Sequence, residues 1–242
     1  MKYPISEKYN SAEWMAKIMG PNPLKLQEEM LSGHRIPENS VVCDLACGKG
    51  LTSVVAAKEY GFKVYAVDLW CDAEENGRFF DEMGLSEEKI IPVQADANAL
   101  PFEKGFFDAV ICTDSYNFFG LDPEFLDQKL LPFVRENGYI YVTCPGMKKD
   151  CHDNLPPELL LSWTPEQMAY LHDVDYWCSI VSQSREAEII EVSEMESNDE
   201  VWADWLKQDA EYAVSDRKSM EAGAGKYLNF VKIVLRKKSA QR

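Results

Sequence analysis

Positive charge is what this chain has little of. Against 41 Asp and Glu stand 25 Lys and Arg, a net charge of −16 over 242 residues. Proteins that hold a phosphate backbone or an anionic bilayer need basic patches, so nucleic acid and membrane are excluded as main partners. The deficit is deepest over 186–222, where 12 acids face 3 bases; this reads as a solvated acidic face. Long apolar runs are missing too. None approaches the roughly 20 residues of a membrane helix, and the start Met1-Lys2-Tyr3-Pro4-Ile5 has no apolar signal core, so a cytoplasmic protein is expected. The seven cysteines show neither a disulfide framework nor paired CxxC zinc spacing. Cys43 and Cys47 are read as packing residues.

What is present is globular. Hydrophobic residues make up 46% of the chain, enough for one α/β domain with a substantial core. The informative stretch is Val41-Val42-Cys43-Asp44-Leu45-Ala46-Cys47-Gly48-Lys49-Gly50. It reads as an apolar strand that ends in a glycine turn and runs into an amphipathic helix over 51–58. Strand, turn and helix N-terminus make a nucleotide-type binding corner. The charge of the ligand separates two classes. A dinucleotide brings a pyrophosphate, which Asp44 at the strand tip would repel, and the turn has Ser53 where the dinucleotide fingerprint has its third glycine. A sulfonium nucleoside is a cation, and an acid before the glycines suits it, directly or through water.

Asp44-x-x-x-Gly48-x-Gly50 resembles the first motif of class I S-adenosylmethionine-dependent methyltransferases, and the resemblance extends over residues 36–147. The second strand, 63–68, ends in Asp68, 20 residues after Gly48. A carboxylate there accepts both ribose hydroxyls. Leu69 and Trp70 follow, expected against the adenine. The third strand, 90–96, ends in Asp96-Ala97. The family assigns that acid to the adenine amino group, with a backbone N–H on the ring. The fourth strand, 107–114, opens on Asp108, read as structural, and closes on Asp114 at the ligand side. Asp114-Ser115-Tyr116-Asn117-Phe118-Phe119-Gly120 is expected beside the methyl group. Cofactor contacts are thus expected from Asp44, Ala46, Gly48, Gly50, Asp68, Leu69, Trp70, Asp96, Ala97 and Asp114.

The fold expected is a doubly wound, seven-stranded, mostly parallel Rossmann-like sheet with an antiparallel last strand. Residues 1–35 are expected as an N-terminal helical cap on a methyltransferase domain over 36–242. Within the cap, one helix carrying Tyr9 and Trp14, capped by Ser6 or Asn10, ends at Gly20-Pro21-Asn22-Pro23. By the resemblance, Tyr9 and Trp14 reach the cofactor or substrate; the alternative is that they staple the helix to the sheet. Helices are expected over 72–83, 123–131, 172–183 and 199–213. Strands are expected over 139–144, 187–192 and 227–235. A lid insertion is expected over about 146–185.

Methyl transfer needs alignment and dryness more than a fixed set of catalytic groups. The candidates for orienting or deprotonating the acceptor are Tyr116, Asn117 and His152. The resemblance implies S-adenosyl-L-methionine as cofactor and, without Asn-Pro-Pro-Tyr after strand four, a small N or O acceptor, in a monomer or homodimer. An NAD-linked oxidoreductase, or a cofactor-binding protein without transfer activity, are the alternatives.

Overall fold

The structure is a computed structural model and describes residues 2–239. Seven strands form one sheet: β1 (Val41–Leu45), β2 (Lys63–Asp68), β3 (Ile90–Gln94), β4 (Phe107–Thr113), β5 (Val134–Met147), β6 (Ala187–Glu194) and β7 (Leu228–Lys237). Their order is β3-β2-β1-β4-β5-β7-β6. β7 alone runs antiparallel, pairing with β5 and β6, and the pairs among β1 to β5 are parallel. Chain order reverses at β1, where β2 lies on one side and β4 on the other. That is the point at which a parallel sheet opens a crevice beyond its strand ends.

Among the described residues eight α-helices accompany the sheet: α1 (Ala12–Met15), α2 (Pro23–Met30), α3 (Leu51–Glu59), α4 (Ala73–Glu82), α5 (Pro165–Met168), α6 (Val174–Val181), α7 (Asn198–Trp205) and α8 (Glu211–Glu221). The strands bury both faces. Val42, Val64, Ala66, Ile111 and Val234 pack with residues of α2, α3, α4 and α7. Cys43, Leu45, Val67, Val110, Cys112, Val142 and Cys144 pack on the other side, with Leu126, Trp177 and Val181. Continuous apolar strands such as Val-Val-Cys have this cause: helices cover them twice. None of the described helices is long and apolar enough to cross a membrane.

Several boundaries differ from the sequence reading, each for a local reason. The expected first helix is a 3-10 turn over Ser6–Tyr9 followed by the single turn of α1, whose cap is Ser11, accepting from the Trp14 N–H. Over 123–131 the chain forms a π-helix at Leu126–Leu130 and then a 3-10 turn at Leu131–Phe133. Pro132 has no N–H to continue an α pattern. β5 begins at Val134, five residues early, because a bulge opposite β4 absorbs Asn137 at φ 61° and Gly138. The Asp108 carboxylate, at the far end of β4, accepts from the Val41 N–H at 2.6 Å and pairs with Arg135 at 2.7 Å. The helix expected over 199–213 stops at Trp205. Arg217 reaches back from α8 to the carbonyls of Leu206 (2.8 Å) and Gln208 (2.6 Å), which satisfies the orphaned end of α7. The Trp205 indole N–H donates to Asp216 at 2.9 Å, fixing α8 across α7.

The N-terminal segment is tied to these late helices. The Asn22 N–H donates to the Val201 carbonyl, the Asn22 amide to Asp204, and Lys25 pairs with Asp204 at 2.6 Å.

Candidate active site

A cavity of about 670 Å³ opens beyond the carboxyl ends of β1, β2, β3 and β4. Its floor is the loop after β1. Ala46, Gly48 and Gly50 have φ of 57°, 55° and 77°; these left-handed residues fold the turn under the cavity. Gly50 then caps α3, and a Cβ there would lie 2.5 Å from the Phe80 ring. Left-handed strain costs roughly 1–2 kcal/mol for a residue with a Cβ, and overpacking about 1–3 more. Gly50→Ala is therefore expected to lower stability by about 2–5 kcal/mol, read as a fall in the urea midpoint at unchanged slope.

Asp68 joins two loops. Its Oδ2 accepts from the Gly48 N–H at 2.8 Å, and its Oδ1 from the N–H groups of Trp70 and Cys71, each at 2.8 Å. Asp96 Oδ1 accepts from the backbone and side chain of Asn98 at 2.8 and 2.9 Å, and these bonds hold its carboxyl below the usual range. Asp114 sits at the end of β4 with φ 62°. Burial pushes its carboxyl up to about 8. Its Oδ2 lies against Gly20, where a Cβ would come to 2.7 Å, so the roof loop can close over this carboxyl only with glycine there.

Of the site residues expected from sequence, Ala46, Gly48, Asp68, Leu69, Trp70, Asp96, Ala97 and Asp114 line this one cavity. The others lie elsewhere. Asp44 is fully buried beneath the floor. Its Oδ2 accepts from the hydroxyls of Thr52 (2.7 Å) and Ser53 (2.6 Å), while Oδ1 has no partner. Burial raises its carboxyl to about 6 against those two hydrogen bonds. Gly50 shapes the turn without facing the cavity. The Tyr9 hydroxyl donates to Glu59 of α3 at 2.7 Å, and Trp14 is buried between Tyr9 and Phe79 of α4, so both hold this segment against helices rather than the sheet.

The three residues expected to act on the acceptor are also off the wall. Tyr116 is 2% exposed and packed among Phe119, Phe125 and Trp177, beside a Gly120 that leaves room for its ring. Asn117 is 1% exposed. His152 faces Asp150 and the Met168 carbonyl. No described residue of 146–185 lines the cavity; Tyr170 reaches it only indirectly, through Phe118. The roof comes instead from Lys17–Pro21 and Pro23, with Tyr212 of α8. The break Gly20-Pro21-Asn22-Pro23 signalled a loop at that place; nothing local marked Tyr212, an aromatic on an acidic helix. Thr113 was also missed, while Ser115, in the segment expected beside the methyl group, lines the cavity. The Thr113 hydroxyl is buried on the cavity wall with no partner.

Leu69, Trp70, Phe118 and Tyr212 are exposed around the opening, with Trp70 and Phe118 in edge contact at 6.3 Å. The site thus offers carboxylates at three strand tips, a left-handed loop, and an aromatic rim. Such a set suits a cationic nucleoside held with its charge near Asp114.

Comparison with known proteins agrees with this geometry. Residues 43–142 match the family described as "Methyltransferase domain". YqeM of Bacillus subtilis (strain 168), provisionally described as a methyltransferase, is 39% identical over 84 residues, 34% of this chain and 32% of that protein. The match thus spans about a third of that relative's length. Phosphoethanolamine N-methyltransferase 2 of Haemonchus contortus, solved with S-adenosyl-L-methionine, superposes with a TM-score of 0.74 at 20% identity, covering 99% of this chain and 58% of that one. Geranyl diphosphate C-methyltransferase of Streptomyces coelicolor A3(2), solved with Mg2+, geranyl diphosphate and S-adenosyl-L-homocysteine, gives 0.67 at 14% identity, covering 87% and 78%.

Proposed function

We propose that this chain moves a methyl group from S-adenosylmethionine to an N or O atom of a small molecule; residues 43–142 match the methyltransferase-domain family, and the fold is shared with methyltransferases of known structure. The observation that carries the reading is the convergence of Gly48, Asp68, Asp96 and Asp114 on one cavity. The buried, unpartnered Asp44 Oδ1 beneath its floor fits it too, since a cationic amine or a water held by one satisfies such an oxygen. S-adenosylmethionine, when bound, supplies a methyl group already activated by positive sulfur.

The protein's own groups then do three things. Asp68 and Asp96 accept from the ribose and the adenine, and the Asp68 bonds to three backbone N–H groups hold both loops ready for this. Trp70, Phe118 and Phe119 keep water from the acceptor. Asp114 is placed to take a proton from a neutral amine or hydroxyl or to hold a cationic acceptor: it lines the cavity, is left-handed, and is shielded enough to sit near neutrality. The acidic chain and aromatic rim favour a small amine or alcohol over nucleic acid or membrane. The phosphoethanolamine enzyme is a relative in fold with an acceptor of that class.

Calorimetric titration with S-adenosylmethionine, S-adenosylhomocysteine and NAD tests the reading. The first two are expected to bind and NAD is not. NAD binding without S-adenosylmethionine binding would replace it with an oxidoreductase. Methyl release to a metabolite panel then separates a transferase from a protein that only holds the cofactor.

A further inference from the structure

Two of the chain's three histidines meet a carboxylate away from the cavity. Asp150, His152 and His172 each place one ligand atom within 4.8 Å of the others. Asp150 Oδ1 and His152 Nδ1 are 2.8 Å apart, and the two imidazole centroids 5.0 Å. His152 opens a 3-10 turn, and His172 bridges Gly146 near the end of β5.

Three features separate this cluster from a surface ion pair. His152 Nε2 lies 3.0 Å from the Met168 carbonyl. A carbonyl only accepts, so Nε2 carries a hydrogen, and in the neutral ring Nδ1 keeps its lone pair toward Asp150. Metal-bound histidines are held in this way, the distal N–H on a backbone carbonyl and the proximal nitrogen free to ligate. Next, His172 Nδ1 is buried and has no hydrogen-bond partner; an ion pair between Asp150 and His152 leaves that nitrogen unsatisfied. Finally, the His172 ring is fixed. It stacks on Tyr176 of α6 at 3.5 Å and 9°. The Asp150 N–H donates to Asp173 Oδ2 at 3.0 Å, holding the turn against the start of α6.

We propose that Asp150, His152 and His172 are the protein ligands of a zinc-type divalent cation. Two imidazole nitrogens and one carboxylate oxygen suit zinc; magnesium and calcium prefer all-oxygen sites. A fourth position is left for water. The cation joins residues 150–152 to 172 and so fastens the turn to α6. From there Trp177 packs on Tyr116 at 5.7 Å, and Tyr116 on Phe119, a cavity residue, at 5.5 Å. The site is a clip behind the cavity wall, and it does not depend on what the cavity binds.

The test uses the untagged full chain, stripped with chelator, desalted and titrated calorimetrically with zinc chloride and, separately, magnesium chloride. Zinc is expected to bind at one equivalent and magnesium to give no heat. His172→Ala and Asp150→Asn are expected to weaken zinc by at least about tenfold, while His34→Ala, the remaining histidine, leaves it unchanged. Cobalt(II) with the unaltered chain gives a readout that no variant's folding can spoil: a strong four-coordinate visible spectrum, bleached by zinc, is expected. No zinc binding overturns the site. So does a weak six-coordinate cobalt spectrum, or equal zinc affinity in a folded His172→Ala chain.

Discussion

S-adenosylhomocysteine is expected to bind the Asp68→Ala chain at least about 100-fold more weakly than the unaltered chain. Hydrogen bonds to an ionised group are worth roughly 1.5–3 kcal/mol each, and about 1.4 kcal/mol is a factor of ten in affinity. The Asp68 carboxylate accepts three, from Gly48 on the first loop and from Trp70 and Cys71 on the second. Removing it frees the two loops it joins and deletes the acceptor proposed for the ribose. Asp68→Asn keeps the shape but turns an amide N–H toward a backbone N–H on one side, so an intermediate loss is expected. Calorimetry at matched unfolding midpoints checks this. Affinity within a factor of about three in a folded Asp68→Ala chain would take Asp68 out of the site.

The second large effect concerns Asp114. Its carboxyl is raised to about 8 by burial, so near neutral pH it is mostly protonated in the folded chain. A cation arriving beside it favours the charged form. S-adenosylmethionine binding should therefore release a proton and tighten as pH rises, by up to about tenfold per unit below about pH 8, levelling off above. Asp114→Asn is expected to abolish that slope, and titrations in buffers of different ionisation heat count the proton. Stability runs the other way. The unfolded carboxyl loses its proton first, near pH 4, so Asp114 contributes a fall in stability as pH rises from about 4 to about 8; Asp114→Asn removes that part and leaves the fall between about 4 and about 6 that the raised Asp44 carboxyl contributes. A slope that survives in Asp114→Asn would assign the proton to another group.

The floor of the site was legible because its physics is local. Strand, left-handed turn and helix start are adjacent in the chain, and the acids at 68, 96 and 114 follow at strand ends that the topology aligns. The parallel run of β1 to β5 followed from the same alternation; the reversed last strand was implied by the family resemblance, and its place between β5 and β6 was not read from the sequence. The roof was not legible. Met19 and Tyr212 lie nearly 200 positions apart and line one cavity in a chain whose α7 is tied to the segment around Asn22. Tyr116 and Asn117 sit one and two residues past Ser115, a residue on the wall, yet a 3-10 turn at Tyr116–Phe118 rotates both inward and leaves Phe118 facing the opening. Asp44 illustrates the opposite limit. Its sequence position was informative, but Thr52 and Ser53 claim one of its oxygens from below, which no spacing rule reveals.

The anchoring of Asn22 and Lys25 to α7 has a kinetic side. The roof carries Met19 and Gly20, and its far end is pinned to Val201 and Asp204. Val201 and Asp204 line no part of the cavity, so breaking the anchor is expected to change the release rate of a bound molecule rather than its contacts with the floor.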